Sequence, residues 1–203
     1  MALYQKIPSL FKLLFPQMTW SVQTDKREIF LTFDDGPHPQ ITPWVLDQLK
    51  TYNMKATFFC VGDNVAKYPE TYKQVIEAGH RAGNHTFHHV KGWIHSDDNY
   101  IDDVAQCAAL VDSKLFRPPY GRIKLSQARK LGHDYRIIMW SLLSGDFDQA
   151  LNRPRALQQL YTHTKPGSIV VFHDSLKAQK NLKRMLPKYL QFLNESGFTC
   201  SLL

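Results

Sequence analysis

Cysteine is scarce in this chain. Three residues, Cys60, Cys107 and Cys200, lie far apart in 203. An odd number with no close spacing excludes both a disulfide framework and a cysteine-built zinc site. Two of them stand in apolar or helical contexts, as small core residues do. No apolar stretch is long enough to cross a bilayer, and there is no internal repeat, linker or low-complexity tract. Length and even composition therefore point to one domain, and 43% hydrophobic with 21% charged residues excludes a disordered chain. Acidic residues are also in short supply, since 18 Asp and Glu against 25 Lys and Arg leave a net charge of +7. An anionic partner would answer such an excess. The basic residues are scattered, however. Their densest run, "KAQKNLKR" (Lys177 to Arg184), reads as a solvated helix face, and no nucleic-acid motif accompanies it. No nucleic-acid partner is expected.

The opening "MALYQKIPSLFKLLFPQ" holds a short apolar patch from Leu10 to Phe15, interrupted by Lys12. It lacks a long apolar core and a small-residue cleavage site, so no cleavable signal peptide is read. The expectation is a small helix packed on the body of the domain, with peripheral membrane contact as the alternative. The chain is expected in the cytoplasm or at a membrane periphery, as a monomer.

Short β-rich runs alternate with helical patterns along the rest. The runs are "EIFLTF" (Glu28 to Phe33), "ATFFCV" (Ala56 to Val61), "HRAGNH" (His80 to His85), "SKLFRP" (Ser113 to Pro118), "YRIIMWS" (Tyr135 to Ser141), "SIVVFH" (Ser168 to His173) and "FTCSLL" (Phe198 to Leu203). Their continuous apolar character fits strands covered on both faces. Helices are expected over Thr42 to Thr51, Asp63 to Ala78, Asn99 to Val111, Ser126 to Lys130, Pro154 to Thr164 and Lys183 to Ser196. Gly79 and Gly197 close two of them from the position just past the end. Such alternation means βαβ units and a parallel sheet of about seven strands, open or curled into a barrel.

In a parallel α/β sheet, sites form where strands end and βα loops begin. "IFLTFDDGPHP" (Ile29 to Pro39) ends its apolar run in Asp34 and Asp35. Asp-Gly-Pro is ordinary turn chemistry, and it is equally a place to present two carboxylates. Successive side chains near a strand end diverge, so one acid as a metal ligand and one as a base is a plausible division. "NHTFHH" (Asn84 to His89) places His85 and His89 at i, i+4, on one face if the segment is helical. With a carboxylate they would suit a divalent ion, although nine histidines make a chance pair unsurprising and His88 competes. Arg117 in "LFRPPYG" sits before two prolines, where its guanidinium could hold a carboxylate by two parallel hydrogen bonds or form a surface salt bridge. His173 in "IVVFHD" reads as a core histidine or as a general acid. Asp146 in "LSGDFD" is a candidate partner for its imidazolium.

Taken in order, these segments resemble the carbohydrate esterase family 4 polysaccharide deacetylases, the family of the NodB homology domain. "TFDDGP" (Thr32 to Pro37) matches the first motif letter for letter, His85 to His89 fits His-Ser/Thr-x-x-His, and Arg117-Pro118-Pro119-Tyr120 fits Arg-x-Pro-Tyr. Where the family has Asp-x-x-Asp-Trp the chain reads Leu143-Ser144-Gly145-Asp146-Phe147, and where it has Leu-x-His the chain reads Val171-Phe172-His173. The resemblance implies a distorted, incomplete (β/α)7 barrel over residues 28–203, with 1–27 as an extension packed on it. It further implies hydrolysis of an N-acetyl amide on a glycan by one divalent ion, zinc first and cobalt, nickel or manganese as substitutes. Carried over, Asp35, His85 and His89 would hold the metal, and Asp34 would be the base, oriented by Arg117. His173 would be the acid, tuned by Asp146. The Tyr120 N–H would meet the oxyanion beside Pro119, and Phe147 and Val171 would line the acetyl pocket. Rival readings are hydrolysis of cyclic or other non-sugar amides, a non-catalytic glycan-binding relative, and a 2-His-1-carboxylate iron oxygenase.

Overall fold

The computed structural model describes Phe15 and residues 17–203, so the expected helix at Leu10 to Phe15 lies outside the described residues apart from Phe15 itself. Eight parallel strands are present among them: β1 (Glu28–Asp34), β2 (Thr57–Cys60), β3 (Arg81–Asn84), β4 (Leu115–Phe116), β5 (Arg136–Ile137), β6 (Leu142–Leu143), β7 (Ile169–His173) and β8 (Thr199–Cys200). The order is β5-β4-β3-β2-β1-β7-β6, with β8 added to the start of β1. No β5–β6 pairing closes the sheet, which makes it the incomplete barrel that the resemblance implies.

β1 is the axis of the molecule and shows why. Ile29, Leu31 and Phe33 pack with Val45, Leu49, Leu186 and Tyr189 in the larger core. Phe30 points to the opposite side, with Phe59, Leu115, Ile138 and Ile169. The period of two along a strand then places Thr32 and Asp34 on the Phe30 side, inside the barrel. Register carries the consequence sideways, because Asp34 pairs with Phe59 of β2 and with His173 of β7. The ends of β1 and β7 are thus level, and a carboxylate and an imidazole meet at one rim.

The helices are α1 (Thr42–Thr51), α2 (Gly62–Lys67), α3 (Pro69–Glu77), α4 (Asp97–Ala108), α5 (Leu125–Leu131), α6 (Arg153–His163) and α7 (Gln179–Glu195). Ser96 caps α4 by accepting from the Asn99 N–H, and Asn152 caps α6 by accepting from that of Arg155, each satisfying an orphan donor of a first turn.

Three expectations are corrected. The single helix expected over Asp63 to Ala78 is two, because Pro69 forces Tyr68 out of helical geometry (φ −131, ψ 55). The run Tyr135 to Ser141 is a strand only at Arg136–Ile137, and an eighth strand, β6, follows at Leu142–Leu143. Helix α7 begins at Gln179 rather than Lys183 and continues through Pro187. Its apolar face, with Leu182, Met185, Leu186, Tyr189, Leu190 and Leu193 all buried, outweighs the one backbone hydrogen bond that Pro187 removes.

The segment before β1 lies on the barrel at two points. Thr19 bridges Ile138, Ser21 bridges Ser168, and Met18 and Trp20 are buried beside Ile137 and Met139. Among the described residues no helix is long and apolar enough to cross a membrane.

Candidate active site and metal centre

The strand ends converge on one cleft of about 810 Å³, lined among others by Asp34, Asp35, His85, His89, Tyr120, Trp140, Leu143, Phe147, Val171 and His173. Arg117 and Asp146 lie behind it, wholly buried. Pro119 is also buried, and it is not among the lining residues.

Asp34 and Asp35 are separated by backbone geometry. Asp34 ends β1 in the barrel, whereas Asp35 takes a left-handed φ of 76° that turns its side chain out of the strand's alternation. The Asn64 amide holds the Asp35 carbonyl at 2.7 Å. Asp174, next to His173, accepts from the Gly36 N–H at 3.1 Å and from the Thr42 hydroxyl at 2.5 Å. The turn after the acids is therefore fastened to α1 and to the end of β7.

His85 and His89 do meet, but not on a helix. The segment after β3 is an irregular loop in which Thr86 and His89 have φ of 63° and 56°. Its shape is set by Asp103 of α4, whose Oδ1 accepts from the N–H groups of Phe87 and His88 at 2.7 and 3.0 Å. The other oxygen of Asp103 bonds His88 Nδ1 at 2.6 Å, which removes His88 from the competition. His85 Nδ1 lies 2.7 Å from the Arg117 carbonyl. A carbonyl only accepts, so Nδ1 carries the proton and the Nε2 lone pair is left for a ligand role. Burial holds this imidazole at a pKa of about 4, so it is neutral near pH 7. His89 Nε2 stands 3.1 Å from Asp35 Oδ1, and His85 Nε2 stands 3.8 Å from it.

Asp35, His85 and His89 each bring one ligand atom, all within 4.8 Å of one another, and they form the only such cluster among the described residues. Burial acts to raise the Asp35 pKa, but the hydrogen bond from His89 and the nearby charge of His173 win, so the carboxylate ionises more easily than usual. One anionic oxygen and two imidazoles, one of them locked in the ligand tautomer, fit a divalent ion with positions left open.

Arg117 is neither a surface salt bridge nor a bidentate clamp. Its Nη1 donates to Asp34 Oδ1 at 2.6 Å and to the Thr32 hydroxyl at 2.7 Å. Nε and Nη2 donate to the carbonyls of Ile138 and Met139 at 3.2 and 3.0 Å, and the guanidinium lies 4.0 Å over the Phe59 ring. A buried fork of donors must satisfy several acceptors, and the carbonyls after β5 take the share that a second carboxylate oxygen would have had.

His173 answers to Asp146. Oδ1 of Asp146 lies 2.7 Å from His173 Nδ1, and Oδ2 accepts from the His173 backbone N–H at 2.9 Å. Ser144 and Asn181 hold Asp146 in turn. Burial lowers the imidazole's pKa, yet the charge and hydrogen bond of Asp146 outweigh it and raise the value to about 9. His173 is thus cationic near neutral pH while His85, in the same cleft, is neutral. Phe147 packs edge-on against His173 at 5.0 Å, and Tyr120, in a left-handed conformation (φ 60°), packs on His89 at 4.7 Å. Trp140 Nε1 and Ser175 Oγ, both on lining residues, have no hydrogen-bond partner among the described residues.

The sequence model of the family described as polysaccharide deacetylase matches residues 21–136, more than half of the chain. The chain belongs to the polysaccharide deacetylase family. It is 33% identical over 190 residues to a peptidoglycan-N-acetylglucosamine deacetylase of Bacillus cereus, covering 89% of this chain and 88% of the relative. A chitooligosaccharide deacetylase of Azorhizobium caulinodans is 31% identical over 163 residues, 75% of this chain and 76% of that one. A crystal structure of a peptidoglycan N-acetylglucosamine deacetylase, in complex with 4-naphthalen-1-yl-N-oxidanyl-benzamide, superposes with a TM-score of 0.87 at 29% identity, over 97% of this chain and 95% of the other. Other family members are longer, and the chain spans 57% of a second Bacillus cereus deacetylase and 33% of one from Listeria monocytogenes.

Asp103, Asp174 and Asn64 are site residues that sequence reasoning missed. Asp174 carried a faint signal, a second acid directly after a strand-end histidine. Asp103 lies mid-helix and Asn64 in a first turn, with nothing local to mark them.

Proposed function

We propose that this chain is a metal-dependent hydrolase that removes the acetyl group from N-acetylglucosamine units of a peptidoglycan- or chitooligosaccharide-type glycan, releasing acetate. The observation that carries the reading is the division of charge around the Asp35, His85 and His89 cluster. A carboxylate paired with Arg117 stands on one side and an imidazolium paired with Asp146 on the other. Amide hydrolysis needs a base at the start and an acid at the end, because an amine leaves badly unless protonated.

Asp35, His85 and His89 would hold a divalent ion, zinc the expected one, which would supply Lewis acidity towards the amide carbonyl and the attacking water. Asp34 takes the proton of the water that adds to the carbonyl carbon. The buried Arg117 fixes that carboxylate in place. The Tyr120 backbone N–H donates to the oxygen that gains charge, a contribution of about 3 to 4 kcal/mol where such donors have been removed. His173 then delivers its proton to the nitrogen as the C–N bond breaks, leaving acetate and a free amino sugar. Leu143, Trp140, Phe147 and Val171 give the methyl group an apolar seat.

The test is acetate release from peptidoglycan, chitooligosaccharides and monomeric N-acetyl sugars, with and without chelator, and with small cyclic amides alongside. Chelator-sensitive release from a glycan is the expected result. Turnover of the cyclic amides alone would overturn the reading.

A further inference from the structure

The rim of the cleft repeats one arrangement three times. Lys91 Nζ lies 4.9 Å over the ring of Tyr120, the Arg122 guanidinium 5.2 Å over Trp93, and Lys177 Nζ 5.7 Å over Phe147. None of the three cations has an ion-pair partner among the described residues. The cleft's own carboxylates are taken, Asp63 by Lys67, Asp34 by Arg117 and Asp35 by the imidazole cluster. Two of these rings connect the cations to the chemistry, since Tyr120 packs on His89 and Phe147 on His173. The sheet order sets β4, whose loop carries Tyr120 and Arg122, and β6, whose loop carries Phe147, on either flank of β1. Positive charge therefore stands one aromatic ring away from the reacting centre on both flanks.

We propose that this rim selects a glycan that itself carries carboxylates, so that an anionic N-acetylated strand is preferred over a neutral one. The inference rests on the deacetylase reading of the cleft and names the substrate class within it. A cation lying on an aromatic face is held in place yet keeps its outer side open. It meets an incoming carboxylate with less side-chain ordering than a free surface lysine. Exposed ring surface at Tyr120 and Trp93 offers apolar cover to the sugars between the charges. The excess of basic residues that the composition leaves unexplained finds a local use here, and Lys177 opens the densest basic run.

The experiment compares a tetrasaccharide of alternating N-acetylglucosamine and N-acetylmuramic acid with the same molecule methyl-esterified at its carboxyl groups. Acetate release gives kcat/KM for each at about 0.02 M and about 0.5 M salt, where screening is weak and strong. The expected result is a preference for the acid form on the order of tenfold at low salt. That preference falls towards one at high salt and in the Lys91→Gln/Arg122→Gln/Lys177→Gln variant. Equal values for acid and ester, or a preference that survives in the triple variant, would overturn the proposal. Poly(glycerol phosphate) is added as a competitor. Strong inhibition by it without any acid preference would assign the rim to a phosphate polymer and equally overturn it. Release from the ester alone refutes the rim and spares the deacetylase reading. Release from neither refutes that reading, and calorimetric binding of the two tetrasaccharides to the metal-loaded protein then decides the rim by itself.

Discussion

Replacing Asp146 with Asn removes the charge that makes His173 an acid while changing little else in size. In the wild-type protein the imidazole is raised from 6.5 to about 9, equivalent to about 3 kcal/mol of preference for the charged form. At pH 7 that leaves His173 about 99% protonated. Without that charge burial still lowers the value while Asp35 and Asp34 still raise it, so the imidazolium loses its main support but not all of it. His85, buried in the same cleft without so close a carboxylate, is held at about 4. Each unit by which the value falls below 7 cuts the protonated fraction at pH 7 by up to about tenfold. The assay is the pH profile of kcat by acetate release with metal loaded, together with metal affinity. A bound cation opposes the imidazolium in both proteins, so the difference between them is the readout. The basic limb should move to lower pH in Asp146→Asn, because the largest influence that raises the value is removed, with metal affinity little changed. A limb in the wild-type position would refute the assignment of His173 as an acid tuned by Asp146. Stability follows the same group. A folded pKa raised above the unfolded one contributes fully below about 6.5 and is lost as pH rises through about 9. The metal-free wild type should therefore lose stability over that window, and Asp146→Asn should lose less.

His89→Ala should lose both metal affinity and turnover, whereas His173→Ala should retain the metal and lose about 10²- to 10⁴-fold in kcat, distinguished by metal titration beside the acetate assay. Arg117→Leu leaves Asp34 buried with no counter-charge and should cost about 3 to 5 kcal/mol, read from denaturant unfolding. At Gly36 a Cβ would overlap the Asp174 carboxylate, so Gly36→Ala should break its contacts to the Gly36 N–H and Thr42. The loss should be about 1 to 3 kcal/mol, and metal affinity should weaken because Asp35 precedes this turn.

Much of the site was legible in the chain because a parallel α/β sheet brings every strand end to one edge. Once the runs Glu28 to Phe33, His80 to His85, Ser113 to Pro118 and Ser168 to His173 are read as strands, the acids, imidazoles and guanidinium at their ends have to face one another. Contiguous motifs such as "TFDDGP" needed no geometry at all. The errors fell where local pattern and long-range packing disagree. His85 and His89 converge through a loop with two left-handed residues, which their i, i+4 spacing only imitates. β6 is two residues long, too short to show a period, and exists because β7 offers it a partner. Asp103 and Asp174 shape the loops from other elements, by bonds to backbone N–H groups that no residue pattern announces.

What the sequence determined by itself was the inventory and its order: which strands end in which reactive side chains. What only the tertiary structure decided was the role of each, because role depends on partners distant in the chain. Asp34 is divided from Asp35 by an arginine 83 residues away and by a backbone turned to positive φ at Asp35. His173 and His85 are the same residue type in the same cleft, and one is cationic and the other neutral. A carboxylate lies 2.7 Å from the first and a carbonyl lies 2.7 Å from the second, and in a buried site that difference sets the charge.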